Sequence, residues 1–181
     1  INSLILLSIN GNGINGRIST MFRPLPVNQP NIIDIYKKFK KVNFKGKVAL
    51  IIGGSRGLGE YTAKMLASGG AVVIITYSEG KNDAIKVKNE INKFGSTCYC
   101  IKMNVIKPIA AFSEIKLLNL NITHVYYFAS PKIKESRNAN IDKTLYKKYL
   151  IIYVTAFKGI IKLMCSSYSN KFILFYPSTV Y

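Results

Sequence analysis

Histidine is nearly missing from this chain: His124 is the only one. A single imidazole argues against a histidine-based metal site and against a Ser-His-Asp triad. Cysteine is scarce too, with Cys98, Cys100 and Cys165 and no Cys-x-x-Cys spacing. An odd set without that spacing reads as reduced thiols in a cytoplasmic protein rather than as a disulfide framework or a zinc knuckle. Cys98 and Cys100 fall on one face of a strand, where burial is the expectation. No apolar run is long; Leu4 to Leu7 and Leu150 to Val154 fall far short of a bilayer span, so no membrane partner is expected. The first residue is Ile1, with no basic stretch or cleavage site behind it, and no signal peptide is expected.

Acidic residues are few. Eight Asp and Glu face 26 Lys and Arg, a net charge of +18. Such a field attracts nucleic acid or anionic lipid. The excess, however, is nearly all Lys, alongside abundant Asn, Ile and Tyr. These residues share AT-rich codons, so genomic bias on the surface explains the charge without a nucleic-acid partner. A basic nucleic-acid binder stays as an alternative class, as does a non-catalytic dinucleotide-binding or interaction module. With 49% hydrophobic residues over 181 positions, the chain is globular and long enough for a core.

What is present is organised around residues 45–59. Val48 to Ile52 is an apolar run of strand length. It enters the turn Gly53-x-x-x-Gly57-x-Gly59, and Leu58, Tyr61, Thr62, Met65 and Leu66 follow at helical spacing. That helix stops at Gly69-Gly70, and a second strand returns over Ala71 to Thr76. Strand, glycine turn and helix bind a dinucleotide: Gly53 permits the sharp turn, Gly57 lets backbone approach the pyrophosphate, and Gly59 lets the helix pack close. The helix N-terminus offers free N–H groups to the phosphates.

Residues 46–59, GKVALIIGGSRGLG, resemble the first strand and cofactor turn of the short-chain dehydrogenase/reductase family. One departure is Ile52, where that family usually has Thr; a hydroxyl that would tie the turn is lost. The resemblance implies a Rossmann-type, doubly wound parallel α/β sheet in strand order 3-2-1-4-5. It assigns the cofactor turn to Gly53, Ser55, Arg56, Gly57, Leu58 and Gly59. The second strand ends at Thr76-Tyr77-Ser78 without an acid, which suits NADP, and Arg56 can fork onto a 2′-phosphate. Glu79 keeps NAD open as the second cofactor. The helix over Asn82 to Phe94 leads to a third strand, Thr97 to Met103. Asn104-Val105 follows where the family usually carries Asp-Val or Asp-Leu beside the adenine. Pro108 to Leu118 reads as the next helix. Thr123 to Pro131 is the fourth strand and its exit; Tyr127-Phe128-Ala129-Ser130 stands where the family has Asn-Asn-Ala-Gly, so only Ala129 survives. The aromatics there read as core. Asn140 to Ser167 reads as one long helix and Lys171 to Tyr176 as the fifth strand.

Family chemistry is hydride transfer between a nicotinamide and a small-molecule carbonyl or alcohol. Ser178 falls where the family keeps its catalytic serine. The Tyr-x-x-x-Lys pair belongs on the next helix, and the chain ends at Tyr181 before reaching it. Tyr36 with Lys40 and Tyr77 with Lys81 match the spacing in the wrong places. The expected organisation is therefore the tail of an upstream domain or linker over 1–30, a basic helix and linker over 31–45, and an incomplete NAD(P)-binding Rossmann domain over 46–181. The expected hairpin, Ser3 to Ile9 with Arg17 to Phe22, lies in the first part. Further domains of the same chain and a homo-oligomer are the partners the resemblance implies.

Overall fold

The computed structural model describes residues 4–21, 28–131, 143–169 and 171–177. Two antiparallel strands, β1 (Leu4–Gly11) and β2 (Ile14–Met21), form a hairpin whose Leu6, Leu7, Ile9 and Ile18 are exposed. Then come α1 (Ile32–Lys38), β3 (Val48–Ile52), α2 (Gly57–Ser68), β4 (Val72–Tyr77), α3 (Lys81–Lys93), β5 (Cys98–Lys102), α4 (Ile109–Leu117) and β6 (His124–Tyr127). The chain ends in α5 (Lys143–Leu150), a π-helical stretch (Ile151–Ala156), α6 (Phe157–Ser167) and β7 (Ile173–Phe175).

Five strands pair in parallel in the order β5-β4-β3-β6-β7. Counted along the sheet's own strands, that is the 3-2-1-4-5 order. The central strands read as unbroken apolar runs because both faces are covered. Alternation along β3 sends Ala49 and Ile51 into one layer and Leu50 and Ile52 into the other. The first layer holds Ala63, Leu66 and Ala67 of α2 with Ala84, Val87 and Ile91 of α3. The second holds Phe112 and Ile115 of α4 with Ile160 and Met164 of α6.

Two regions add to the sequence expectation. First, α1, expected as a basic helix ahead of the first strand, is docked. Ile32 and Ile35 are buried, and the Ile32 N–H donates to Glu90 Oε1 at 2.8 Å. Asn31 caps the helix by accepting the Asp34 N–H. Lys37, Lys38, Lys40 and Lys41 stay exposed, so the basic run is a solvated face on a docked helix. Second, Lys143–Ser167 is a single helical rod of 25 residues, long and apolar enough by length and composition to cross a membrane. In this structure it lies along the sheet with Ala156, Ile160 and Met164 buried. Expected residues 140–142 of that helix lie outside the described residues.

The three thiols are free and differ in access: Cys98 buried, Cys100 half-buried, Cys165 exposed. Burial, with Cys100 adding and Lys88 opposing, pushes the Cys98 thiol up to about 12. Cys100 is also raised, chiefly by burial. Thiolate is the reacting species. A maleimide at neutral pH should therefore modify Cys165 first and Cys98 only on unfolding; mass mapping showing Cys98 labelled as fast as Cys165 would contradict this packing.

Candidate cofactor site

The site is built where β3 ends. Gly53 takes φ +86°, a left-handed conformation that favours glycine. Space demands glycine there as well. A Cβ on Gly53 would stand 2.9 Å from Ala129 N and 2.9 Å from Phe128 C, because the turn packs directly on the backbone leaving β6. The Phe128 N–H donates to the Ile52 carbonyl at 2.7 Å and closes that contact. Gly57 also has a positive φ, +59°, but a Cβ there would meet nothing within 4 Å. Its surroundings are open, as a surface that must admit a ligand requires. A Cβ on Gly59 would overlap the Gly53 carbonyl oxygen.

The tie that Ile52 cannot make comes from the neighbouring strand. Thr76, 1% exposed, accepts the Gly53 N–H on its Oγ1 at 3.3 Å, and its carbonyl accepts the Gly54 N–H at 3.0 Å. A β-branched polar residue ending an otherwise apolar strand was the available signal, and sequence reasoning did not use it. α2 starts at Gly57 behind Arg56, whose backbone is extended and whose side chain makes no capping bond. The first-turn N–H groups of α2 therefore carry no side-chain cap, the condition for receiving an anion.

Around this turn the structure gathers most of the expected residues. Ser55 is buried, Arg56 and Leu58 are exposed, and Tyr77 is half-buried at the end of β4 with Ser78 exposed after it. Arg56 Nη2 lies 3.7 Å from Asp83 Oδ2 on the first turn of α3, beside the Ser78–Gly80 loop. Asn104 follows β5; its Oδ1 accepts the Ile106 N–H at 3.0 Å, an Asx turn that shapes this rim. Val105 packs into the second layer and Ala129 lies against the turn. Ser178 lies outside the described residues.

The aromatics at the β6 exit divide between the two faces. Tyr127 is buried against Phe157 and Tyr176, and its hydroxyl donates to the Ile152 carbonyl at 2.6 Å. The Tyr176 hydroxyl donates to the Tyr153 carbonyl at 2.9 Å. Both carbonyls belong to the π-helical stretch, where the widened turn leaves acceptors to be satisfied from outside. Burial, then Tyr176 and Tyr153, raise the Tyr127 phenol well above its ordinary value, so it remains a donor at neutral pH. Tyr126 and Phe128 stack on the opposite face. Among the described residues no group of three His, Cys, Asp or Glu could hold a metal ion.

Residues 47–116 match the family model described as short chain dehydrogenase. A 3-oxoacyl-acyl-carrier-protein reductase of Aquifex aeolicus is 35% identical over 78 residues, 41% of this chain and 32% of that protein. An L-rhamnose 1-dehydrogenase (NADP(+)) of Thermoplasma acidophilum is 33% identical over 86 residues, 46% of this chain and 34% of that protein. Among solved structures, a short chain dehydrogenase from Burkholderia cenocepacia in complex with NADP aligns at 26% identity with a TM-score of 0.61, over 70% of this chain and 52% of that one. A dehydrogenase/reductase from Sinorhizobium meliloti shares the fold at 23% identity and a TM-score of 0.62, over 70% of this chain and 51% of that one. The matched stretch thus spans about a third of those curated relatives and about half of the solved chains.

Proposed function

We propose that the chain is a divergent member of the short-chain dehydrogenase/reductase family, whose model matches residues 47–116, and that its Rossmann domain binds NADP as part of an oxidoreductase acting on a carbonyl or alcohol substrate. One observation carries the reading. The open backbone at Gly57 and the uncapped N-terminus of α2 stand beside a β4 end that lacks an acid and has Arg56 over it. Gly57 and the α2 N–H groups would hold the pyrophosphate, and Arg56 the 2′-phosphate. Tyr77 and Ser78 would border the adenosine ribose, Asn104 and Val105 the adenine, and Ala129 the inner end. When bound, the cofactor supplies or accepts the hydride. Ser178 is proposed to hydrogen-bond the substrate oxygen. Neither Tyr36 with Lys40 on and after α1 nor Tyr77 with Lys81 at the adenosine end is proposed as the proton-transfer pair. A cytoplasmic location belongs to the same reading and is supported by three free thiols.

Calorimetric titration with NADPH and NADH tests the assignment. Losing a charge-assisted phosphate bond should make Arg56→Ala weaken NADPH about 10- to 100-fold, with NADH nearly unchanged. Gly57→Val should bind neither cofactor, because its side chain fills the approach to the turn. A Gly57→Val protein that binds like wild type, or an Arg56→Ala protein that loses both cofactors alike, overturns the reading.

A further inference from the structure

Arg56 is not held ready in empty solvent. Its Nη2 lies over Gly80, 2.8 Å from where a Cβ would be, and that same point is 3.1 Å from Asp83 Oδ2 and 3.5 Å from Ser55 Oγ. The guanidinium and the Asp83 carboxylate share one small space, 3.7 Å apart, with 66% and 54% of their side chains exposed. Beside them Glu79, Gly80, Lys81, Asn82 and Asp83 line a recess of about 280 Å³. Asp83 sits in the first turn of α3, where a carboxylate is favoured by the helix dipole.

We infer that Asp83 is a specificity-determining residue: it competes with the cofactor's 2′-phosphate for Arg56 and sets how strongly the site prefers NADP over NAD. The inference rests on the NADP reading above. Its physics is a charge exchange. In the free protein Asp83 neutralises Arg56. An arriving 2′-phosphate must take Arg56 from that carboxylate and stay beside a like charge. NAD brings no such group and meets neither cost. Asp83 thus lowers NADP affinity selectively, narrowing a preference that Arg56 creates. A Cβ at Gly80 would crowd only the flexible ends of these two side chains.

The experiment is a calorimetric cycle on the 181-residue chain, with NADPH and NADH as ligands and wild type, Asp83→Asn, Arg56→Ala and the double variant as proteins. Asp83→Asn keeps the shape and removes the charge. From the strength of exposed ion pairs, it should tighten NADPH about fivefold at low salt and leave NADH unchanged. In the Arg56→Ala background most of that gain should vanish. A gain that raising the salt does not shrink, an equal change for both cofactors, or a loss of NADPH affinity overturns the competition. The last outcome would mean that Asp83 holds Arg56 in its productive pose. Wild type that binds neither cofactor overturns the NADP reading itself. Wild type that binds NADPH while Asp83→Asn changes nothing overturns only this inference. Matching far-ultraviolet spectra and melting curves of the four proteins confirm that folding is not what changed.

Discussion

Gly59→Ala should unfold the cofactor turn and lower the melting temperature far more than Gly57→Ala two positions earlier. The new Cβ would overlap the Gly53 carbonyl oxygen, with the Gly53 carbonyl carbon and Gly54 Cα each 2.9 Å away. All three are backbone atoms, so no rotamer change relieves the clash. Either the first turn of α2 lifts from β3, or the Gly53–Gly54 turn breaks its bonds to Thr76. Overpacking of this kind costs typically 1–3 kcal/mol, and a rigid backbone obstacle puts the expected cost near the top, about 3 kcal/mol. For a chain of this size that is roughly 6–12 °C in melting temperature. Gly57→Ala is the internal control. Nothing lies within 4 Å of its Cβ, so only the strain of φ +59° remains, about 1 kcal/mol. Thermal melts of both variants make the comparison. Equal melting temperatures would show that α2 does not pack on the turn as described.

Lys64→Ala is the second large effect. Lys64 is 2% exposed in the middle of α2, and its Nζ reaches Glu60 Oε1 at 2.7 Å, Glu90 Oε2 at 2.9 Å and the Pro30 carbonyl at 3.1 Å. Glu90 also accepts the Ile32 N–H, so one ammonium joins α2, α3 and the start of α1. Removing it leaves two carboxylates facing each other without their cation. Breaking a buried pair in this way costs about 3–5 kcal/mol, most of it the penalty on the charges left behind. That origin predicts a rescue. The variant Lys64→Met with Glu60→Gln and Glu90→Gln removes all three charges and should recover most of the loss, because buried ionic clusters are often replaceable by uncharged groups. Limited trypsin digestion adds a local readout: cleavage among Lys37, Lys38, Lys40 and Lys41 should accelerate in Lys64→Ala as α1 loosens. Denaturant melts of Lys64→Ala within about 1 kcal/mol of wild type, a change typical of exposed pairs, would mean that the cluster is solvated.

The run Val48 to Ile52, the glycine turn and the helix after it were legible because strand length, left-handed φ and helical spacing are local properties. The parallel sheet and its strand order followed from the family resemblance carried by residues 46–59. Lys64 was not legible, since a lysine within an amphipathic helix reads as solvated; its carboxylate Glu90 is 26 positions further along the chain and its carbonyl, Pro30, 34 positions before it. The loss of a hydroxyl at Ile52 was read correctly as a loss. Its replacement by Thr76, 23 positions from Gly53, needed the β3–β4 pairing to be known. The aromatic strand exit was read as core, and for Tyr127 burial agrees. That its hydroxyl, with that of Tyr176, serves a π-helical stretch was not visible, because a π turn leaves no periodic mark in so short a segment.

The sequence by itself determined the apolar strand, the glycine turn and the helix after it, which rest on patterns within a dozen or so neighbouring residues; the fold class and strand order came from the family resemblance those residues carry. Only the tertiary structure decided that α1 is docked, that Lys64 is buried among carboxylates, that Thr76 ties the turn and that Arg56 rests against Asp83. These depend on which side chains meet after distant segments pack, and on charges whose effect reverses between water and the interior.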